Sequence, residues 1–203
     1  MTKVKICGLT NLGDAKLVAE LDANFLGFIF APSPRKINLD VLKEISKGLS
    51  NNVKKVGVFA NQEVKEVKRI AYEGELDYLQ FHGDESPEYC QNFDLPIIKA
   101  FRVRDESYLE NLKRYRVDKY LLDAYHPQKL GGVGETFNWE LAKKAKDYGD
   151  IIIAGGLNGN NVKEVIKELN PFGVDVSSGV EKEVGVKDEA KVKVFIEKTK
   201  NSV

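Results

Sequence analysis

The sequence has no apolar run long enough to cross a membrane and no excess of charge of either sign. Spanning a bilayer takes about 20 consecutive apolar residues, and no stretch of the 203 residues approaches that length. The 31 basic and 31 acidic residues balance, so no overall field attracts nucleic acid or a membrane surface. We therefore expect no nucleic-acid or membrane partner, and any affinity for an anion has to come from a local site.

Cysteine is scarce as well. The two cysteines, Cys7 and Cys90, lie far apart, and neither belongs to a Cys-x-x-Cys or Cys/His cluster. This excludes a disulfide scaffold and a zinc site. The chain enters an apolar run directly, without a basic-then-apolar leader. Together these features predict a cytoplasmic protein, kept reduced, with no metal site.

What the chain does have is a regular alternation of apolar and amphipathic segments. The apolar runs that predict strands fall at 3–7, 24–30, 53–59, 77–81, 96–101, 118–123, 150–154 and 172–176. Runs such as Ile151-Ile152-Ile153 are continuous, which is typical of strands covered on both faces. Between the last two runs, apolar residues from Val162 to Leu169 repeat at i, i+3, i+4 and i+7, which predicts an amphipathic helix.

Eight such units predict the α/β class and a minimal (β/α)8 TIM barrel, a single domain over residues 1–203. Right-handed crossovers make the strands parallel, and eight parallel strands close into a barrel. The alternative is an open doubly wound sheet. Such sheets usually have about six strands, and no G-x-G-x-x-G motif follows the first strand here.

Two residues at predicted strand ends have the chemistry of a proton-transfer pair. Cys7 closes the first strand and Asp123 the sixth, so in a barrel both face the mouth, where active sites of this fold lie. A thiolate base and a carboxylic acid form a general acid–base pair. We expect N–H groups of the helix start after Gly8 to lower the pKa of the Cys7 thiol. The alternative for Cys7 is packing, since free cysteine is among the most buried residue types.

Glycines and serines follow the last two predicted strands, where barrels commonly bind phosphate. Backbone N–H groups approach an anion closely where a residue lacks a Cβ, and a short helix after the eighth strand would add further donors. The candidate substrate-binding residues in these two loops are Gly155, Gly156, Asp175, Ser177, Ser178 and Gly179. Ordinary turn chemistry is the alternative reading.

Three further features surround the predicted mouth. Arg35, in the loop after the second strand, is a candidate for binding a substrate carboxylate through its guanidinium fork; the alternative is a solvated loop arginine. His82 ends the fourth strand, and it either lines the pocket or shapes the turn as a neutral, hydrogen-bonded histidine. We interpret the glycine-rich segment Gly131-Gly132-Val133-Gly134, after the sixth strand, as a lid over the mouth.

The strand-end motifs are spread from residue 3 to about 195. In chain order they are Val4-Lys5-Ile6-Cys7-Gly8-Leu9-Thr10-Asn11, Gly27-Phe28-Ile29-Phe30 with Ser33-Pro34-Arg35, Val56-Gly57-Val58-Phe59, Gln80-Phe81-His82-Gly83, Leu121-Leu122-Asp123, Gly131-Gly132-Val133-Gly134 with Phe137-Asn138-Trp139, Ala154-Gly155-Gly156-Leu157 and Asp175-Val176-Ser177-Ser178-Gly179-Val180-Glu181. This set resembles the motifs of the phosphoribosylanthranilate isomerase family of tryptophan biosynthesis.

The resemblance implies a cofactor-free (β/α)8 barrel. Its implied activity is the Amadori rearrangement of N-(5-phosphoribosyl)anthranilate to 1-(2-carboxyphenylamino)-1-deoxyribulose 5-phosphate. It further implies that Cys7 is the general base, that Asp123 is the general acid and that Arg35 meets the anthranilate carboxylate, while the last two loops hold the phosphate. The expected partner is thus a small phosphorylated aminosugar, and the chain is expected to be a monomer or a homodimer.

Two other functions stay open at this point. A related barrel lyase, such as indole-glycerol-phosphate synthase, would call for lysine and glutamate at strand ends, where Cys7 and Asp123 stand here. A non-catalytic barrel that binds a phosphometabolite would keep the phosphate loops and lose the acid or the base, and fold alone does not exclude it.

Overall fold

The computed structural model describes residues 1–49, 53–123 and 139–202. Within these ranges, eight parallel strands pair in chain order and close into a barrel. They are β1 Lys3–Cys7, β2 Phe25–Ile29, β3 Lys54–Phe59, β4 Tyr78–Phe81, β5 Ile97–Arg102, β6 Lys119–Asp123, β7 Asp150–Ala154 and β8 Gly173–Val176. The predicted (β/α)8 barrel is confirmed, and the open sheet is excluded. The proposed lid at Gly131-Gly132-Val133-Gly134 lies outside the described residues.

Helices alternate with the strands in the described ranges. They are α1 Leu12–Glu20, α2 Leu39–Gly48, α3 Val64–Glu73, α4 Pro87–Cys90, α5 Ser107–Leu112, α6 Trp139–Ala145, α7 Val162–Leu169 and α8 Glu189–Lys200, with short 3-10 helices at Lys146–Tyr148 and Ser178–Val180. Asn11, Asn38 and Ser86 cap helix starts, each by accepting a hydrogen bond from the backbone N–H three residues on, which satisfies an otherwise unpaired donor. None of these helices is long and apolar enough to cross a membrane.

Alternation along the strands separates the inside of the barrel from the layer under the helices. The inner cluster consists of Phe25, Val56, Ile98, Ala100, Leu121, Ile152 and Ala154. On β1, Lys5 and Cys7 pair in register with Phe25 and Gly27 of β2, so these two side chains also face inward. Val4 and Ile6 belong to the larger outer cluster, under the helices.

A short antiparallel hairpin, absent from the sequence prediction, lies between β8 and α8. Its strands are β9 Glu181–Glu183 and β10 Val186–Lys187, and it turns at Gly185, whose φ of 82° suits glycine. The Glu-Lys-Glu composition of β9 has no apolar strand pattern, which is why periodicity did not predict it. The hairpin nevertheless buries two charged residues, Glu181 and Lys187, beside the mouth of the barrel.

Candidate active site

A cavity of about 240 Å³ opens at the carboxyl ends of the barrel strands. All of the candidate site residues named from the sequence line it: Cys7, Arg35, His82, Asp123, Gly155, Gly156, Asp175, Ser177, Ser178 and Gly179. The barrel thus gathers residues from both ends of the chain around one opening. Other lining residues include Gln80, which the sequence did not single out.

Asp123 lies at the end of β6, and His82 from the end of β4 contacts it. His82 Nε2 is 3.2 Å from Asp123 Oδ2, and Gln80 Nε2 is 3.1 Å from His82 Nδ1. With the Gln80 amide assigned this way, Nδ1 accepts and the imidazole proton lies on Nε2, which donates to Asp123. The Asp123 side chain is 24% exposed, so it is accessible from the cavity.

Gln80 controls which proton arrangement His82 adopts. The Gln80 side chain is buried, and its Oε1 has no hydrogen-bond partner among the described residues. Turning the amide over would pair Oε1 with a proton on Nδ1 and leave Nε2 as an acceptor. His82 is therefore able to donate to an Asp123 carboxylate in one arrangement and to accept from an Asp123 acid in the other.

Cys7 lies at the end of β1, and β7 and β8 separate it from Asp123 on β6. The residue is 6% exposed, and this burial raises the pKa of its thiol, while the charge of Lys5 acts in the opposite direction. The predicted lowering by helix N–H groups is wrong. The N–H groups of Gly8 and Leu9 donate to the Gly27 carbonyl at 3.0 and 3.1 Å, and α1 begins only at Leu12.

Asp175 lines the cavity and forms a buried ion pair with Lys5. Its Oδ1 is 3.0 Å from Lys5 Nζ, and the two side chains are 9% and 1% exposed. The pair crosses the β1–β8 seam, where Lys5 and Asp175 are register partners. Burial alone would disfavour the ammonium, but the charges of Asp175 and Cys7 outweigh it and raise the pKa of Lys5, so Lys5 is charged. The sequence prediction did not include Lys5. The sequence feature that indicates its position is that Lys5 lies two residues before Cys7 in an apolar strand, so both side chains face the same side of the sheet.

Arg35 is held in place by Glu181 of the hairpin. Its Nε and Nη2 donate to Glu181 Oε1 and Oε2, each at 2.7 Å. This is a bidentate, charge-assisted pair, which fixes the guanidinium plane as well as its position. The Nε–Nη2 edge of the guanidinium is thereby occupied, and Nη1 takes no part in the pair.

Lys187, at the end of the hairpin, joins three parts of the site. Its Nζ donates to the carbonyl of Cys7 at 2.7 Å, to the carbonyl of Ser177 at 3.2 Å and to Glu181 Oε1 at 3.0 Å. Burial lowers the pKa of Lys187, although the Glu181 carboxylate opposes this. The sequence did not predict Glu181 or Lys187 as site residues, because a charged hairpin resembles a solvated surface turn.

The loops after β7 and β8 meet at the cavity. Gly155 and Gly156 have φ values of 89° and 66°, and residues other than glycine rarely adopt this backbone conformation. A Cβ on Gly179 would lie 1.9 Å from the Leu157 carbonyl oxygen, so the two loops touch backbone to backbone. Ser177 Oγ is buried and has no partner among the described residues. Close, N–H-rich backbone of this kind suits an anion.

The arrangement therefore offers a thiol and a carboxyl on one cavity, a fixed guanidinium, and two loops suited to phosphate. In the described ranges, no group of three or more His, Cys, Asp and Glu side chains is placed to hold a metal ion.

Comparison with known proteins identifies relatives of the whole chain. The family model described as N-(5'phosphoribosyl)anthranilate (PRA) isomerase matches residues 4–198. N-(5'-phosphoribosyl)anthranilate isomerase of Geotalea uraniireducens is 49% identical over 201 residues, 98% of this chain and 99% of that protein. The protein of the same name from Geobacter metallireducens is 46% identical over 201 residues, 98% of this chain and all of that protein.

Solved structures give the same result. Phosphoribosyl anthranilate isomerase from Thermotoga maritima superposes with a TM-score of 0.91 and 40% identity, covering 98% of this chain and 99% of that one. A second structure, of the isomerase in complex with reduced 1-(o-carboxyphenylamino)-1-deoxyribulose 5-phosphate, has a TM-score of 0.87 and 37% identity, with coverage of 98% and 99%.

Proposed function

The chain belongs to the N-(5'-phosphoribosyl)anthranilate isomerase family, and we propose that Cys7 and Asp123 carry the two proton transfers of its reaction. The protein is an isomerase of tryptophan biosynthesis, which sets aside the lyase and the non-catalytic barrel. The observation that supports the two roles is that a thiol and a carboxyl, and with them all the other candidate residues, line one cavity. The expectations of a cytoplasmic location and of a monomer or homodimer stay predictions.

The reaction requires the two groups to start in opposite protonation states. Asp123, as the acid, gives a proton to the furanose ring oxygen, and the C1'–O bond opens to a Schiff base. Cys7, as thiolate, then removes the C2' proton, which leaves an enolamine that tautomerises to the ketone. In the tautomerisation the Cys7 thiol returns its proton to C1' and the Asp123 carboxylate takes the proton of the C2' hydroxyl, so each group regains its starting state before the next turnover. General acid–base catalysis of this kind contributes about 10²–10⁴-fold in rate.

His82 and Gln80 are proposed to support Asp123 in both of its states. Before ring opening Asp123 holds a proton, and His82 Nε2 is 3.2 Å away, within reach to accept it as a hydrogen bond. After ring opening Asp123 is a carboxylate, and the other imidazole tautomer donates to it. Gln80, 3.1 Å from Nδ1, pairs with either tautomer by presenting its NH₂ or its oxygen.

Substrate binding is proposed to use both ends of the cavity. The loop residues Gly155, Gly156, Ser178 and Gly179 would hold the phosphate, and the free Ser177 hydroxyl would donate to it. Arg35 would bind the anthranilate carboxylate through Nη1, since Glu181 already occupies the Nε–Nη2 edge. The solved relative that carries reduced 1-(o-carboxyphenylamino)-1-deoxyribulose 5-phosphate holds a ligand of this type, with one phosphate and one carboxylate.

Substitution of the acid and the base tests the assignment. Purified Cys7→Ala and Asp123→Asn are expected to lose at least about 100-fold in kcat, with smaller changes in KM, because the lost groups act in the transition state. The assay follows the decrease in fluorescence as phosphoribosylanthranilate is consumed. Cys90→Ala is the matched control, since Cys90 packs in the outer cluster on α4. Near-parental kcat in either active-site variant would refute the role of that residue.

A further inference from the structure

The barrel interior holds a fully buried cation that the mechanism above does not use. Lys5 is among the largest fully buried side chains of the described residues, and lysine is almost never fully buried unless it is paired. Its partner is Asp175, at 3.0 Å. A buried pair of this kind is weak evidence for stability, because desolvation of both ions offsets their attraction. The question is therefore what else the ammonium does at this place.

Lys5 lies next to the sulfur of Cys7. The two residues are two positions apart on β1 and face the same way, and a Cβ added to Gly27 would lie 2.8 Å from Cys7 Sγ and 3.0 Å from Lys5 Nζ. Both atoms thus border one small space, which is open only because residue 27 is glycine. Because both atoms lie within 3.0 Å of the same point, the charge of the ammonium acts on the sulfur at short range.

We propose that Lys5 is a positioning residue that stabilises the thiolate of Cys7, and that Asp175 holds Lys5 in place for this role. The inference rests on the proposed function of Cys7 as the base. In so buried a site an isolated thiol would keep its proton, because burial raises its pKa. A fixed positive charge beside the sulfur favours the thiolate. Lys5 provides that charge from within the same strand.

The other cations near Cys7 form hydrogen bonds to groups other than its sulfur, and the carboxylate of Asp175 opposes the thiolate. Arg35, in the loop after β2, donates two hydrogen bonds to Glu181. Lys187, from β10, also binds Glu181, and its other bonds go to the backbone carbonyls of Cys7 and Ser177. Its charge favours the thiolate too, but less than that of Lys5 does. Asp123 lies with His82 on the far side of β7 and β8. Among the described residues Lys5 has one ionic partner, Asp175, and an ammonium with three N–H donors has others left for the sulfur.

The test measures the thiol directly. In a Cys90→Ala background Cys7 is the only cysteine, so the rate of its alkylation by iodoacetamide, followed by mass spectrometry across pH, gives its titration midpoint. Lys5→Met is expected to raise this midpoint by about one pH unit or more, and Lys5→Arg to restore most of the difference. At neutral pH, kcat/KM of Lys5→Met should fall about tenfold, and its alkaline limb should move to higher pH.

A second variant guards against misfolding. Lys5→Met leaves Asp175 buried without a partner, whereas Lys5→Met/Asp175→Asn removes both charges and keeps the size of the side chains. The double variant is expected to fold, by circular dichroism and thermal unfolding, and to show a smaller rise of the midpoint than Lys5→Met, because the Asp175 carboxylate, which opposes the thiolate, is removed as well. An unchanged alkylation midpoint in either folded variant overturns the proposal.

The two proposals fail in different ways. Parental activity in Cys7→Ala would remove the base itself, whatever the titration of its thiol. An inactive Cys7→Ala together with a parental midpoint in Lys5→Met would leave Cys7 as the base and remove only Lys5.

Discussion

Gly179 has no room for a side chain, because the two loops proposed to hold phosphate are in direct contact there. Its added Cβ would lie 1.9 Å from the Leu157 carbonyl oxygen and 3.0 Å from the Leu157 carbonyl carbon. Both atoms are backbone, so a flexible side chain cannot simply move aside. A methyl group at this position therefore has to push the loop after β8 away from the loop after β7.

Gly179→Ala should weaken substrate binding more than it slows the chemistry. We expect KM to rise about tenfold, equivalent to about 1.4 kcal/mol of binding, with a smaller change in kcat, since neither proton-transfer group moves. Steady-state fluorescence assays give both constants. Gly13→Ala is the control: it lies in α1, outside the cavity lining, and its Cβ would meet only the Asn11 side chain, at 3.3 Å. An unchanged KM in Gly179→Ala would show that the loop spacing does not set phosphate affinity.

The buried thiol of Cys7 also predicts a pH dependence. The active form needs Cys7 as thiolate and the acid with its proton. Below the pKa of Cys7, a rise in pH forms more thiolate, which compensates for the loss of the protonated acid. Above that pKa no further thiolate forms, so the loss of the protonated acid lowers kcat/KM. Since burial raises the pKa of Cys7, we expect the midpoint of this alkaline limb above about 8.5, the ordinary value for cysteine. Initial rates at constant ionic strength measure it. A limb centred below that value, or one that differs from the iodoacetamide midpoint of Cys7, would contradict the assignment.

At the scale of elements, the β9–β10 hairpin supplies charge to the site. Its strands have three and two residues, too few to form a stable sheet alone. Glu181 binds both Arg35 and Lys187, and these bonds outweigh burial and lower the pKa of its carboxyl. One carboxylate thus binds two cations. The hairpin places it between Arg35, in the loop after β2, and Lys187, which binds the end of β1.

Removal of this carboxylate should affect stability and binding together. Glu181→Gln leaves the buried Lys187 without its ionic partner, and we expect a loss of about 3 kcal/mol in the free energy of unfolding. We also expect KM to rise, because Arg35 loses its bidentate support. Urea unfolding and steady-state kinetics measure the two effects. The exposed Glu183 on the same hairpin gives a matched control, Glu183→Gln. A Glu181→Gln variant as stable as that control would show that Lys187 needs no counter-charge.

Across the whole molecule, the apolar core elements followed from the sequence and the charged contacts did not. The strand predictions agree with β1 to β8 because barrel strands are covered on both faces and give continuous apolar runs. Cys7 and Asp123 could be singled out because strand ends converge on one mouth. The Lys5–Asp175 pair joins residues 170 positions apart, and local periodicity has no means of pairing two such residues. The same reason applies to Arg35 and Glu181, 146 positions apart.

The seam between β1 and β8 has a consequence for how the enzyme is made. Cys7 leaves the ribosome long before Asp175 and Lys187 do, and domains generally acquire their structure as units. Until β8 pairs with β1, Cys7 is a solvent-exposed cysteine without its charged neighbours. We therefore expect a polypeptide without β8 to be inactive toward the substrate, and activity to begin when β8 pairs with β1 and closes the barrel.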